Sequence, residues 1–272
     1  MGTSVLHIVM GLHNKGNYWQ QGIVCLYSLL VQCTCPPQVH VLHDDTLDGG
    51  AQAHFAALCA HFSAGLTLHS MTGYAPLLGA VRESRLTAGA LFKLLTPDCV
   101  PAERALYVDC DICFTLDIAK VFQCMDAAGS DVCLHMAPDH NAFVPEVAAP
   151  LRAMGLRPET YCNTGVIGFE LERLAKLCPD FSRRVLALAA RADLRWADQD
   201  ALNLLLRETA LPVQYLPAWC NFQLGYRQRR ALPPEKLEGK VVHYTGAKPW
   251  HSAYPAGEVY AAFCRAAQAF LC

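Results

Sequence analysis

Short apolar runs alternate with segments of helical periodicity through the first half of the chain, and this alternation narrows the fold more than any other feature. Val5-Leu6-His7-Ile8-Val9-Met10 reads as a buried strand, and Ile23, Leu26, Tyr27 and Leu30 follow at i, i+3, i+4 and i+7, one face of a helix. Val39-His40-Val41-Leu42-His43 is a second strand, closed by Asp44-Asp45. A helix across Ala51 to His61, a strand at Leu66 to His69 and a helix near Leu86 to Leu95, stopped by Pro97, continue the series. This pattern predicts an α/β fold with a Rossmann-like, mostly parallel central sheet flanked by helices. After a strand at Asp131 to His135 the alternation loosens into an irregular stretch, Pro138 to Tyr161. Val166-Ile167-Gly168-Phe169 then leads into a helix with Leu171, Leu174 and Leu177 on one face. The last third is loop-rich around Pro212, Pro217 and Pro233-Pro234, and closes on a helix carrying Val259, Phe263 and Phe270. With no internal repeat, residues 1–272 read as one domain.

Composition removes several classes. At 53% hydrophobic and 17% charged, with a formal net charge of −2, the chain is neither disordered nor a general nucleic-acid binder. No apolar run approaches the roughly 18 residues of a membrane span, and the start lacks a secretory leader, so a soluble, cytoplasmic chain is expected. The fourteen cysteines are scattered through apolar segments and read as free and buried. Cys33-x-Cys35 and Cys110-x-x-Cys113 lack the second pair that a structural zinc requires.

The strand Ala105-Leu106-Tyr107-Val108 runs straight into Asp109-Cys110-Asp111. Ligands of open α/β sheets bind outside the carboxyl ends of strands, and two carboxylates one residue apart can share a divalent cation that neutralises a departing phosphate. Near the C-terminus, Val241-Val242-His243-Tyr244-Thr245-Gly246-Ala247-Lys248 reads as a strand leaving into a loop. There His243 offers an imidazole, Gly246 close backbone approach to a phosphate, and Lys248 a point charge. Between them, Asp198-Gln199-Asp200-Ala201-Leu202-Asn203 opens an apolar helix, with Asp198 a natural N-cap, and Tyr161-Cys162-Asn163-Thr164-Gly165 reads as a turn before a buried run.

In this order the four segments resemble glycosyltransferase family 8, the group that contains bacterial lipopolysaccharide galactosyl- and glucosyltransferases and glycogenin. The likeness spans nearly the whole chain: Leu106–Asp111 resembles the family's strand and Asp-x-Asp, Cys162–Val166 its Asn-(Ala/Ser/Thr)-Gly-Val, Asp198–Asn203 its Asp-Gln-Asp-x-Leu-Asn, and His243–Trp250 its His-(Tyr/Phe)-x-Gly-x-x-Lys-Pro-Trp. The resemblance implies a GT-A fold and retaining transfer of glucose or galactose from a UDP-sugar, with Mn²⁺ as the usual cation and Mg²⁺ as the alternative. By position, Asp109, Asp111 and His243 would hold the metal. Asn17, Tyr18, Lys93, Cys110, Asn163, Gly246 and Lys248 would contact the donor, and Asp198, Gln199 and Asp200 would shape the sugar side, with Asp200 the acidic candidate for a double displacement. Lys93 stands where the family more often has Arg, which removes a bidentate fork. Gly11–Tyr18 keeps Asn17-Tyr18 but lacks the family's acidic pair, so the uracil contact departs from the pattern.

The implied partners are a UDP-hexose and a glycan, lipid-linked or protein-linked acceptor, without nucleic acid. That places the protein in the cytoplasm or at the inner face of the membrane through its acceptor. The acceptor side falls to Pro138–Tyr161 and Gln223–Pro234, which carry no recognisable code. Two other readings compete. A haloacid dehalogenase-type phosphatase places Asp-x-Asp on its first strand and follows it with Thr or Val, which Ile112-Cys113 does not match. A catalytically silent sugar-nucleotide-binding protein fits the altered uracil segment but not the retained Asp109, Asp111, His243, Gln199 and Lys248.

Overall fold

The computed structural model describes residues 5–79, 81, 88–127, 129 and 131–271. Among the described residues ten strands form: β1 His7–Leu12, β2 Gln38–His43, β3 Gly65–Ser70, β4 Arg104–Val108, β5 Ile112–Phe114, β6 Leu134–Pro138, β7 Cys162–Glu170, β8 Val213–Tyr215, β9 Phe222–Gln223 and β10 Val241–His243. Seven make the central sheet in the order β3-β2-β1-β4-β7-β6-β8, and β5-β10-β9 make a small second sheet. The run β3-β2-β1-β4 is parallel throughout, whereas β7 lies antiparallel to both β4 and β6. The chain therefore winds outward from β1 to β3 and returns to the other side of β1 at β4. This reversal opens a crevice at the carboxyl ends of β1 and β4, where Asp109-Cys110-Asp111 begins.

Side-chain alternation divides the core between the two sheet faces. Ile8, Met10, Leu12, Leu106 and Val108 point to the face covered by the helix Trp19–Leu30, together with Phe114 and Val241 of the small sheet. Val9, Ala105 and Tyr107 point to the other, under Leu202 and Leu205 of the helix Ala197–Thr209. The small sheet thus shares the main core, which fixes β10 and its His243 against β4 and the residues that follow it.

Several expectations are corrected. β1 starts at His7, leaving Val5 59% exposed, and β6 starts at Leu134, three residues after Asp131. The helix expected over 86–95 is a helix Ala88–Phe92 and a 3₁₀ turn Lys93–Leu95, with Leu86 and Thr87 outside the described residues. Pro97 opens the next helical turn, Thr96–Cys99, because a proline in a first turn forfeits no intrahelical hydrogen bond. The same effect turns the stretch after Pro138 into short helices, including Pro145–Ala153 and Pro158–Thr160. Asn163, Thr164 and Gly165 lie within β7 rather than in a turn ahead of it. All thirteen described cysteines are free, and no described helix is long and apolar enough to cross a membrane.

Three histidines cross the parallel strands as a hydrogen-bonded row: His7 Nδ1 lies 3.0 Å from His40 Nε2, and His40 Nδ1 lies 2.9 Å from His69 Nε2. Burial, then His69 and His7 as neighbours, lowers His40 to about 4, and burial also lowers the two flanking rings. The unfolded chain titrates these rings near 6.5, so below that pH it takes up protons that the folded row refuses. Stability is expected to be full above pH 6.5 and to fall as pH drops toward 4. Thermal melts over that range should lose more than the about 2–4 °C that 1 kcal/mol represents in a domain of this size. H40Q should flatten that slope, and an equal slope in the variant would remove the row as its source.

Candidate active site

β4 delivers Asp109-Cys110-Asp111 into the crevice, and backbone bonds on both sides hold the tripeptide. The Asp109 amide donates to Gly165 O at 2.8 Å, and the Tyr244 amide donates to Asp111 O at 2.9 Å. Cys110 turns inward, its thiol 3.4 Å from Gly11 O, so only its backbone faces a ligand and the two carboxylates project together. His243, at the end of β10, completes the group: one ligand atom from each of Asp109, Asp111 and His243 lies within 4.8 Å of the others. His243 Nε2 is 3.3 Å from Asp111 Oδ1, while its Nδ1 bonds Asn221 Oδ1 at 2.9 Å. An Nδ1–H given to Asn221 leaves the Nε2 lone pair facing the carboxylates, the second contact that orients metal-binding imidazoles.

Two lysines close the charge balance. Lys248 Nζ pairs with Asp111 and donates to Tyr244 O at 2.8 Å. Burial would raise the Asp111 carboxyl, but Lys248 and then His243 hold it far below the ordinary carboxylate range. Lys93 is 2% exposed and bridges Asp109 at 3.0 Å and Asp198 at 2.9 Å. Burial would lower its pKa, but the two carboxylates outweigh that and raise it, so its charge is locked in. A buried cation is tolerable only with such partners. Lys93 accordingly fastens the Asp-x-Asp to the helix Ala197–Thr209.

That helix distributes its opening residues among different tasks. Gln199 is clamped at both ends of its amide: Nε2 donates to Asp139 Oδ2 at 2.7 Å, and Oε1 accepts from Asn163 Nδ2 at 2.9 Å and from the Thr164 amide at 3.3 Å. Asn163 Oδ1 accepts from Asn221 Nδ2 at 2.8 Å, which links Gln199 to His243 by hydrogen bonds alone. Asp200 faces away. It is fully buried, accepting from the Tyr161 hydroxyl and from the amides of Arg195 at 2.8 Å and Trp196 at 2.9 Å. The N-cap is Trp196 rather than Asp198, and Asp200 serves the amides just ahead of the helix, a reach-back in the sense of a capping box. Asn203 grips the start of β7, accepting from the Cys162 amide and donating to its carbonyl.

Of the expected donor contacts, Tyr18 opens the helix Trp19–Leu30 with its ring 6.0 Å from Trp250, edge on. Burial, then the nearby Asp111 and Cys110, push its hydroxyl well up. Asn17 is exposed with a left-handed φ of 62°, and Asn14, not Asn17, makes the local bonds to Thr46 and Trp19. Gly246 has φ +79° and open space around it, as a phosphate-approaching turn requires. The sequence reading missed Asp139 and Asn221. Asp139 follows the end of β6 as Asp109 follows β4, and the same rule would have found it, whereas Asn221 had no signal. It also missed that Asp44, at the end of β2, meets His13 at 2.6 Å, so an acid does reach the Gly11–Tyr18 segment from a neighbouring strand. A cavity of about 780 Å³ is lined by Asp44 and Asp45 together with Met71, Leu78, Phe92 and Ala197, and Asp109, Asp111 and His243 lie outside its lining.

Gly165 shows how tightly these parts fit. A Cβ there would fall 2.1 Å from His243 Cε1 and 2.6 Å from Nδ1. G165A is expected to displace the imidazole and weaken divalent-cation binding by about 10–100-fold, the usual cost of disturbing a ligand's support. Calorimetric titration with Mn²⁺ checks this, and unchanged affinity would show that the ring has room to move.

A mostly parallel sheet whose order reverses beside β1, with an Asp-x-Asp on the reversal and a carboxylate–imidazole cluster beside it, is the arrangement that the expected GT-A fold implies. The family model for glycosyl transferase family 8 matches residues 7–253, and the chain belongs to that family. Among solved structures it is similar to the galactosyltransferase LgtC in complex with donor and acceptor sugar analogs, at 19% identity and TM-score 0.75 over 96% of both chains. The glycosyltransferase GlyE of Streptococcus pneumoniae TIGR4 is similar at 17% identity and TM-score 0.69, over 96% of this chain and 61% of that one. The bifunctional WbbM is similar at 14% identity and TM-score 0.73, and there the chain spans only half of the longer protein. At these identities the likeness establishes the fold. A comparison with curated protein sequences returned no match.

Proposed function

We propose that this family 8 glycosyltransferase moves glucose or galactose from a UDP-sugar to a hydroxyl acceptor with retention of configuration, as a single domain over residues 1–272. The observation that carries the reading is the continuous hydrogen-bonded path from His243 through Asn221 and Asn163 to Gln199, which ties the cation-binding group to the sugar side. The donor set fits a divalent cation. Two carboxylates and an imidazole suit Mn²⁺ better than Mg²⁺, which prefers oxygen alone, and the Lys248 ammonium already neutralises Asp111 as a cation would. A cation held there supplies positive charge against the departing diphosphate.

The chain's own residues do the remaining work. Lys248, beside the open turn at Gly246, would move from Asp111 to a phosphate oxygen of the leaving UDP. Tyr18 and the Cys110 backbone flank the nucleoside, with Asn17 at the edge. Lys93 and Asp198 hold the sugar pocket from one side, and Asn163 and Gln199 from the other. The arrangement favours front-face attack by the acceptor hydroxyl. Gln199 is a neutral amide, Asp200 is closed off by three donors, and Asp198 and Asp139 are bonded to Lys93 and Gln199. We place the reaction in the cytoplasm, or at the inner face of the membrane for a lipid-linked acceptor.

Isothermal titration with UDP-glucose and UDP-galactose, each with and without Mn²⁺, tests the reading while UDP release is followed in the same samples. Metal-dependent binding of one hexose with slow release is the expected result. Binding without release, even when hydroxyl acceptors are supplied, would favour a silent sugar-nucleotide-binding protein, and no binding would overturn the UDP assignment.

A further inference from the structure

The two segments without a recognisable code, Pro138–Tyr161 and Gln223–Pro234, come together beside Gln199. Gln223 Nε2 donates to Pro138 O at 2.9 Å and its Oε1 accepts from the His140 amide at 3.2 Å, while the Tyr226 hydroxyl donates to His140 O. Gly225 lies at the junction: a Cβ there would fall 2.8 Å from Asn141 Nδ2 and 3.1 Å from Thr245 Oγ1. The segment Gln223–Tyr226, which leads into the next turn, therefore packs on the loop that carries Asp139, the partner of Gln199, and Gly225 also meets Thr245 on the loop that carries Lys248.

This turn is Arg227-Gln228-Arg229-Arg230. Among the described residues none of the three arginines meets a carboxylate within ion-pair distance, although acids outnumber bases in the chain. Arg229 has a structural duty, donating to Gln223 O at 3.0 Å and lying over the Phe222 ring. The Arg227 side chain is exposed and makes no hydrogen bond among the described residues, and Arg230 is half-buried with its Nε enclosed and unpartnered. Thr245 Oγ1, on the facing loop, is likewise enclosed and unpartnered. Buried polar atoms normally find partners, and guanidinium groups held together without counter-charge repel one another. Both costs fall when an oxyanion is bound, because guanidinium forks match carboxylate and phosphate geometry.

We infer that Arg227 and Arg230 form an acceptor-side anion site, so that the sugar presented to Gln199 carries a phosphate or carboxylate group. This rests on the glycosyl-transfer reading and narrows its acceptor to an anionic glycan or glycosyl phosphate. A neutral sugar would leave the same arginines uncompensated.

Glucose 6-phosphate, glucuronate and glucose serve as probes, titrated into the protein saturated with UDP and Mn²⁺ so that the donor side is filled. The charged sugars are expected to bind at least about 10-fold more tightly than glucose, as charge-assisted bonds to two arginines would give. The R227Q/R230Q variant is expected to lose that preference while its UDP affinity stays unchanged, and R227K/R230K to keep part of it. Equal affinity for charged and neutral sugars, or a preference that survives R227Q/R230Q, would overturn the inference. So would binding to phosphatidylglycerol vesicles that depends on these arginines without binding of soluble charged sugars, since the arginines would then face a lipid surface. If UDP itself fails to bind, the donor reading falls separately, and the same sugar comparison on the UDP-free protein still decides the role of the arginines.

Discussion

Asp111→Asn is expected to lower metal-dependent turnover by about 10²–10³-fold, the several kcal/mol that a cation contributes to a developing charge. The substitution keeps the shape of the side chain and removes only the charge. It also removes the stability that the Lys248 and His243 partners give the Asp111 carboxylate, a cost moderated because Lys248 retains its bond to Tyr244 O and is partly exposed, so the freed ammonium can reach water. Asp109→Asn is the less clean experiment. Lys93 lies fully enclosed between Asp109 and Asp198, and neutralising one partner leaves a buried cation half compensated, which destabilises the protein as well as the site. Comparing turnover and melting temperature for the two variants separates the effects: both should lose activity, and D109N, which leaves the enclosed Lys93 half compensated, should show the larger fall in melting temperature. Turnover in D111N close to that of the parent protein would remove Asp111 from the cation site.

The parts of the fold that could be read from the sequence are those in which burial imposes a period. β1, β2 and β4 are apolar runs because both of their faces are covered, and the Asp-x-Asp was legible because it interrupts such a run where a strand must leave the sheet. The antiparallel insertion of β7 was not legible, since a strand buried on both faces carries no mark of its direction. Pro97 reads as a stop and the proline-containing stretch Pro138–Tyr161 as irregular, although Pro97 and Pro145 each open a helical turn, because the residue type is the same at a stop and at a first turn. The site divides in a similar way. Asp109, Asp111, His243 and Gln199 lie on elements whose ends are marked by hydrophobic runs. Asn221 sits in a 3₁₀ turn between short strands, and its role arises only when β10 and β7 come together around it.

The segment Asp198-Gln199-Asp200 shows what a linear motif hides. Three consecutive residues on a helix point in directions about 100° apart. Asp198 therefore meets Lys93, Gln199 enters the crevice, and Asp200 turns back into the protein to hold the helix start. Read as a string, both carboxylates looked equally available to the sugar.

Asp200→Ala is accordingly expected to act on stability. It would leave the Tyr161 hydroxyl and the amides of Arg195 and Trp196 without their acceptor in a fully buried position. Losing one partner of a buried, charge-assisted network costs about 3–5 kcal/mol, which for a chain of this size corresponds to a melting temperature lower by about 6–20 °C. Asp200→Asn should lose less, because the amide oxygen still accepts from the two backbone N–H groups while its N–H₂ donates to the Tyr161 hydroxyl oxygen, so that only the charge is unreplaced. Turnover per folded molecule, measured well below the lowered melting temperature, should remain within about tenfold of the parent protein, since Gln199 keeps Asp139, Asn163 and Thr164 as partners. A nucleophile behaves in the opposite way, with its removal costing orders of magnitude in turnover while the fold survives. An Ala variant that melts normally but fails to turn over would therefore return Asp200 to the reaction as the group that attacks the anomeric carbon, and with it the double displacement.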